Sequence, residues 1–222
     1  YASPHADMPI RIGNKECGMV WRNPVGIPAG FTKDGRGSLT LICGLRIGSL
    51  ELGTVPFLDQ LGNPKPRFFM NQDAATGAFS TINRFGFNSQ GIVPLASYLW
   101  DIRHERNGDA ARTPMIVSIG PNKIAVEAYE ENRDLKALVA HLMNAYAVVL
   151  PVLRRGDALQ INVSSPNTEG LRNLLSRVFD FLSLLVRDVQ KLAAICGLPN
   201  PIMILKLSPD MADDDIRQAT NA

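Results

Sequence analysis

The chain has almost no material for a metal centre or a disulfide framework. Its three cysteines, Cys17, Cys43 and Cys196, are odd in number and scattered without C-x-x-C spacing, which fits thiols in a reducing compartment rather than a cross-linked secreted scaffold. Its three histidines, His5, His104 and His141, show no ligand spacing, so no metal site is expected and all three read as ordinary structural or surface residues. Charge of one sign is also lacking: 23 Lys and Arg stand against 21 Asp and Glu, a formal net charge of +2. Without a basic run interleaved with aromatics, this argues against a nucleic-acid partner. No uninterrupted apolar run approaches the roughly 18 residues of a transmembrane helix, and no signal-peptide pattern opens the chain. A hydrophobic fraction of 45% over 222 residues is that of a globular domain with a sizeable core, and residues 1–222 read as a single domain.

What is present is an alternation of strand and helix signals, the pattern of an α/β fold with a parallel sheet and crossover helices. Apolar runs bounded by turn residues predict strands at Gly26–Ala29, Leu50–Val55, Met115–Ile119, Ala158–Val163 and Ile202–Leu207. Between the third and fourth, Leu135, Leu138, Val139, Leu142, Met143 and Tyr146 recur at helical spacing. Leu174, Leu175, Val178, Leu182, Leu185, Val189 and Leu192 do the same in a longer helix from Leu171 to Ile195. Gly197 ends that helix, and Pro199 and Pro201 punctuate the turn into the next strand. Asp213, Asp214 and Asp215 cluster as metal ligands would, but they stand where a helix begins, and interaction with its dipole accounts for them.

The most chemically loaded stretch follows the fourth strand. Asn162-Val163-Ser164-Ser165-Pro166-Asn167 crowds two amides and two hydroxyls onto a strand's carboxyl end, where α/β folds place their chemistry. Each asparagine offers an acceptor and a donor pair, which suits a planar ligand that alternates N–H and C=O around its edge, such as a cyclic ureide. Ser164 or Ser165 can take a proton from such a ligand only if its own proton has somewhere to go. Capping of the following turn is the competing use of the two serines. Lys206 follows three apolar residues on a core strand, where an ammonium is costly unless paired.

From Asn162 to Arg172 the sequence Asn-Val-Ser-Ser-Pro-Asn-Thr-Glu-Gly-Leu-Arg closely resembles the active-site loop of class 2, quinone-dependent dihydroorotate dehydrogenases. Five further stretches follow that family's order. They are Asn23 to Gly35, which is similar to its first strand and flavin loop, Gly62 to Arg67, Ile82 to Ser89, Ser118 to Lys123, and Ile204 to Asp210. The resemblance implies an eight-stranded (β/α)8 TIM-type barrel, of which about five core strands are found here, so the chain is expected to be the amino-terminal portion of a larger protein. It implies oxidation of dihydroorotate to orotate in pyrimidine biosynthesis, with FMN as cofactor and a quinone as electron acceptor. It also implies attachment to a membrane surface through a segment ahead of the barrel, at the mitochondrial inner membrane in a eukaryote or the bacterial inner membrane otherwise.

Residue roles are carried over from the same resemblance. Ser165 is implied to be the proton acceptor, its hydroxyl relayed through a water held by Thr168 beside Phe87. Lys33, Asn83, Arg84, Phe85, Gly86, Phe87, Asn162 and Asn167 are implied to bind substrate. Ala29, Gly30, Thr54, Asn122, Asn162 and Lys206 are implied to bind the flavin, Lys206 at the N1–C2 carbonyl edge where negative charge develops. The chain departs from the family at Thr32 where many members carry aspartate, at Pro121 where lysine is common, at Met70 where an arginine faces the quinone tunnel, and in the segment from Ser38 to Gly53, which is longer than usual. Two alternatives stand beside this reading. One is a soluble class 1 dihydroorotate dehydrogenase, against which serine rather than cysteine at position 165 speaks; the other is a non-catalytic barrel fragment.

Overall fold

The computed structural model describes residues 8–13, 18–38, 41, 45–105, 113–163, 177–208 and 211–220. Ser164, Ser165, Asn167 and Thr168 lie outside them. In chain order the elements are strands β1 (Ile10–Ile12), β2 (Met19–Trp21), β3 (Gly26–Ile27), β4 (Ser49–Val55), β5 (Phe68–Gln72) and β6 (Phe79–Asn83), helix α1 (Ile92–Glu105), strand β7 (Met115–Ile119), helices α2 (Lys123–Asn132) and α3 (Leu135–Val149), strand β8 (Ala158–Asn162), helix α4 (Val178–Ile195), strand β9 (Ile202–Lys206) and helix α5 (Asp213–Thr220). Strands β3-β4-β7-β8-β9 form one parallel sheet in that order, while β1-β2 and β5-β6 are separate antiparallel ribbons. This is an α/β fold with helices crossing over between parallel strands.

The sheet curls because its two faces do different work. Outward residues Leu50, Leu52, Val117, Leu159 and Ile161 join the main core with Leu95 and Leu99 of α1, Leu138 and Leu142 of α3, and Phe181 and Leu185 of α4. The alternate residues point into the concave side. At the amino ends of the strands Ile116 and Ala158 pack with Met19 from the β1-β2 ribbon, and Trp21, Ile202 and Ile204 close around them. Toward the carboxyl ends the inward positions turn polar, through Glu51, Ser118, Gln160, Asn162 and Lys206. An apolar plug below and polar groups above is the layering of a barrel interior with chemistry at its carboxyl end.

The predicted helices form with identifiable ends. Asp134 accepts a hydrogen bond from the Ala137 amide at 3.0 Å and so caps α3, whose buried residues recur three and four apart. Helix α4 stops where Leu198 N–H bonds Ala193 C=O at 2.9 Å and Gly197 N–H bonds Ala194 C=O at 3.1 Å. That is a Schellman ending, with Gly197 at φ +77° supplying the left-handed residue. The helix predicted from Leu171 is described from Val178 on. Asp213 opens α5, as expected of an acidic first turn.

Three expectations need correction. Strand β3 has two residues, not four, and pairs only with β4. Both antiparallel ribbons and helices α1 and α2 have no counterpart in the predicted elements, because β1 and β2 are three residues long and β5 and β6 are wholly exposed. Leu135–Val152 is long and apolar enough by composition to cross a membrane, because Lys136, His141 and Asn144 interrupt it too sparsely to lower its average; in this fold it is α3 and a following 3-10 turn, packed on α1 and α4.

Tyr146 lies at the middle of that packing with none of its surface exposed, and its hydroxyl has no hydrogen-bond partner among the described residues. Burial pushes its phenol well above the usual range. A buried hydroxyl without a partner costs about 1–3 kcal/mol. Tyr146→Phe is therefore expected to raise stability by about 1 kcal/mol, read as a higher urea midpoint with an unchanged slope; a lower midpoint would mean that the hydroxyl is satisfied.

Candidate active site at the carboxyl ends of the strands

The sheet gathers one continuous polar network. Asn162, the last residue of β8 and 6% exposed, donates from Nδ2 to Thr54 Oγ1 at 2.6 Å. Thr54 Oγ1 and Ser118 Oγ lie 2.9 Å apart, and Gln160 Nε2 donates to that serine at 2.9 Å. Gln160 Nε2 also donates to Glu51 Oε1, which accepts from Lys206 Nζ at 3.1 Å. Strand parity puts Ser118, Gln160, Asn162 and Lys206 on the concave side, and the register shift between Gly53 and Val55 turns Thr54 inward with them. The partner of Lys206 in this structure is thus Glu51, an ion pair across two intervening strands.

Glycines bring neighbouring backbone to this network. Gly30, at φ +105°, donates from its amide to Gly53 C=O at 2.8 Å, joining the loop after β3 to the end of β4. A side chain on Gly30 would meet nothing within 4 Å. One on Gly120 would lie 2.7 Å from the Phe87 ring and 2.9 Å from the Thr54 methyl. The lack of a Cβ there lets Phe87, 7% exposed, pack beside the network.

A second group of side chains lies on the loops. Lys33 Nζ donates to Asn88 Oδ1 at 2.7 Å and sits 5.0 Å above the Phe85 ring, which stacks on Phe68 at 6.1 Å. Burial, with the Arg67 guanidinium adding repulsion, lowers the Lys33 ammonium to about 8. Arg84 donates from Nε and Nη2 to Pro66 C=O at 3.1 and 3.0 Å, and its backbone amide bonds Arg67 C=O at 2.9 Å. Gly86 is buried and its C=O accepts from Gln60 Nε2 at 2.9 Å. Asn83, at the end of β6, is exposed.

Asn122 uses its whole amide to hold the loop after β4. Its Oδ1 accepts from Leu58 N–H at 3.0 Å, and its Nδ2 donates to Leu58 C=O at 3.1 Å and to Gln60 Oε1 at 3.4 Å. His141 Nε2 lies 2.9 Å from the same Oδ1. Because Leu58 N–H can only donate, that oxygen is an acceptor and His141 Nε2 carries the hydrogen. Burial lowers the His141 pKa, which favours the neutral ring. His141, expected to be an ordinary structural or surface residue, is therefore the anchor of Asn122. A flavin contact by Asn122 requires one of these four hydrogen bonds to be exchanged.

The structure thus joins Thr54, Asn162 and Lys206 in one network, places Gly30 against its edge and Phe87 beside it, and sets Lys33 with Phe85 on the adjoining loops. Glu51, Ser118, Gln160, Gln60 and His141 are site residues that motif reading does not single out. Their signal is parity: the first three occupy inward positions on strands otherwise apolar. No group of three or more His, Cys, Asp or Glu able to hold a metal occurs among the described residues.

The chain is similar to known proteins along most of its length. A family model described as dihydroorotate dehydrogenase matches residues 12–222. The dihydroorotate dehydrogenase (quinone) of Rhodospirillum rubrum is 38% identical over 201 residues, which cover 90% of this chain and 47% of that protein. The mitochondrial dihydroorotate dehydrogenase (quinone) of Mus musculus is 33% identical over 201 residues, 89% of this chain and 46% of that protein. A crystal structure of the ligand-free enzyme of Eimeria tenella superposes with a TM-score of 0.70 at 28% identity, covering 95% of this chain and 57% of that one. The chain spans about half the length of the curated relatives it matches.

Proposed function

We propose, from the premise that this chain belongs to the dihydroorotate dehydrogenase family, that the protein oxidises dihydroorotate to orotate with FMN as its flavin and a quinone as electron acceptor, in pyrimidine biosynthesis. In this reading residues 1–222 belong to one α/β-barrel catalytic domain. A quinone acceptor puts the protein at a membrane surface, the mitochondrial inner membrane in a eukaryote or the bacterial inner membrane otherwise. The observation that carries the reading is the network in which Thr54, Asn162 and Lys206, matched to the family's site positions, are joined on the concave side of the parallel strands through Ser118, Gln160 and Glu51.

The residues present fit a flavin. Among the described residues Lys206 gives one N–H to Glu51 and keeps two, Gly30 leaves open space above its backbone, and Thr32 Oγ1 is buried without a hydrogen-bond partner. Lys206 would hold the ring at its N1–C2 edge, with Ala29, Gly30, Thr54 and Asn162 along it and Asn122 fixing the adjoining loop. When bound, FMN supplies the hydride acceptor.

The remaining chemistry belongs to the chain. Ser165 removes the proton from the substrate ring carbon, with its own proton passing along a hydrogen-bonded relay. Asn83, Asn162 and Asn167 clamp the pyrimidine edge, and the Arg84-Phe85-Gly86-Phe87 turn frames it. Lys33 meets the substrate carboxylate, its ammonium lifted out of bulk solvent by Phe85 and Asn88.

The depressed Lys33 pKa gives a pH dependence with a definite sign. Below about 8 the folded protein carries an unfavourable ammonium. Above it Lys33 loses its proton in the folded state while the unfolded chain keeps one up to the ordinary lysine value of 10.5. Stability from this group therefore rises with pH across that window. Dihydroorotate binding goes the other way and weakens by up to about tenfold per pH unit above 8, since the carboxylate needs the ammonium. Titration of affinity against pH in the parent and in Lys33→Met checks this; equal slopes in the two would remove Lys33 from the carboxylate site.

An anaerobic visible spectrum of the full-length protein tests the whole reading, taken before and after dihydroorotate and again after a short-chain quinone. Bleaching of a flavin band and its return with quinone are expected. A bound flavin that dihydroorotate leaves oxidised would refute the substrate, and recovery only with an acceptor other than quinone would refute the class.

A further inference from the structure

We infer that Glu51 is a positioning residue that tempers the charge of Lys206 and so sets how strongly the site favours reduced over oxidised flavin. The inference rests on the flavin reading above. Glu51 and Lys206 are 155 positions apart in sequence, on β4 and β9, with β7 and β8 between them. They meet only because both side chains reach into the concave side of the curled sheet. The Glu51 side chain is 14% exposed and that of Lys206 36%. Gln160 holds the same carboxylate oxygen from the other direction and is itself fixed by Ser118. The carboxylate therefore cannot swing away from the lysine without breaking the network that also contains Thr54 and Asn162.

Stability alone is a poor reason for this pair. Taking a carboxylate and an ammonium out of water costs about as much as their attraction returns, and apolar residues of similar volume would serve the interior as well. Charge control is a better one. An unpaired Lys206 would present a full positive charge to a ring that gains negative charge on reduction, holding the electrons too firmly for release to a second acceptor. With Glu51 in place the pair is close to neutral as a unit, while two ammonium hydrogens have no partner among the described residues and can bind the ring edge. Glu51 thus preserves the hydrogen bonds of Lys206 and removes much of its field.

The test uses the full-length, flavin-loaded protein. In Glu51→Gln the side-chain amide oxygen can still accept from Lys206, so flavin should stay bound. Its reduced form should be favoured over the oxidised by about a further tenfold, a rise in midpoint potential of about 30 mV for a two-electron couple. Glu51→Asp, which keeps the charge, should recover most of the parent potential. Gln160→Met, which frees the carboxylate from its second anchor, should shift the potential in the same direction by less, and serves if Glu51→Gln fails to fold. An unchanged potential in Glu51→Gln, or in Gln160→Met where the first variant does not fold, would overturn the proposal. So would equal shifts in Glu51→Gln and Glu51→Asp, which would assign the effect to shape. A full-length parent without flavin would refute the flavin reading itself, before any variant is compared.

Discussion

Ser165→Ala in the full-length protein is expected to slow dihydroorotate-dependent flavin reduction by about 10²–10⁴-fold at neutral pH, with flavin content and melting temperature close to the parent's. In sequence the serine is three residues beyond Asn162, the last residue of β8, whose side chain belongs to the network with Thr54 and Lys206. A hydroxyl is a weak base, so its contribution comes from a fixed relay rather than from its own basicity, and removing it leaves no group that can substitute. Turn capping predicts the opposite pattern. If Ser165 only capped the turn, the alanine variant would lose about 1 kcal/mol of stability and keep its rate. Stopped-flow reduction under anaerobic conditions separates the two, and a parent-like rate would end the assignment of Ser165 as base.

Lys206→Ala carries the second large effect. Removing a charged donor from a ring edge costs about 1.5–3 kcal/mol, or roughly a 10–100-fold weaker hold on flavin. The variant also strands the Glu51 carboxylate, whose remaining contact is the Gln160 amide. Breaking a fully buried pair costs about 3–5 kcal/mol; with the Lys206 side chain 36% exposed, about 2 kcal/mol is expected here. Flavin content after gel filtration and the urea midpoint should fall together. Unchanged flavin content would remove Lys206 from the cofactor site, whatever happens to stability.

The four longer sheet strands were legible as short apolar runs bounded by turn residues, with their polar residues mostly on the inward face. Met115–Ile119 and Ala158–Asn162 are buried at every position, and such runs announce themselves without alternation. Phe68-Phe69-Met70 and Phe79 to Asn83 carry apolar residues too, but these are exposed, so neither periodicity nor burial marks them. Thr54, Asn162 and Lys206 were legible through the family's motifs. Glu51 was not, because a carboxylate between Leu50 and Leu52 has no local partner; its partner arrives 155 residues later, when the sheet curls. His141 was missed for a related reason. Its apolar neighbours on α3 suggest a helix face, and only the packed fold sets that face against Asn122.

The exposed ribbon of β5 and β6 has a consequence for binding thermodynamics. All ten of its residues are exposed, and apart from the stacking of Phe68 on Phe85 no described residue covers an apolar face, so a two-stranded ribbon of this kind is marginal by itself. Its amides are expected to exchange through local opening, at a small fraction of the free energy that protects β7 and β8. Asn83 rides on the last position of this ribbon. A ligand that engages Asn83 must therefore draw on the closed fraction of the ribbon, and its apparent affinity is the intrinsic one reduced by that fraction. Part of the selectivity of such a site then lies in conformational entropy: a ligand able to reach Asn83 freezes the ribbon, whereas one that stops at Asn162 leaves it opening and closing.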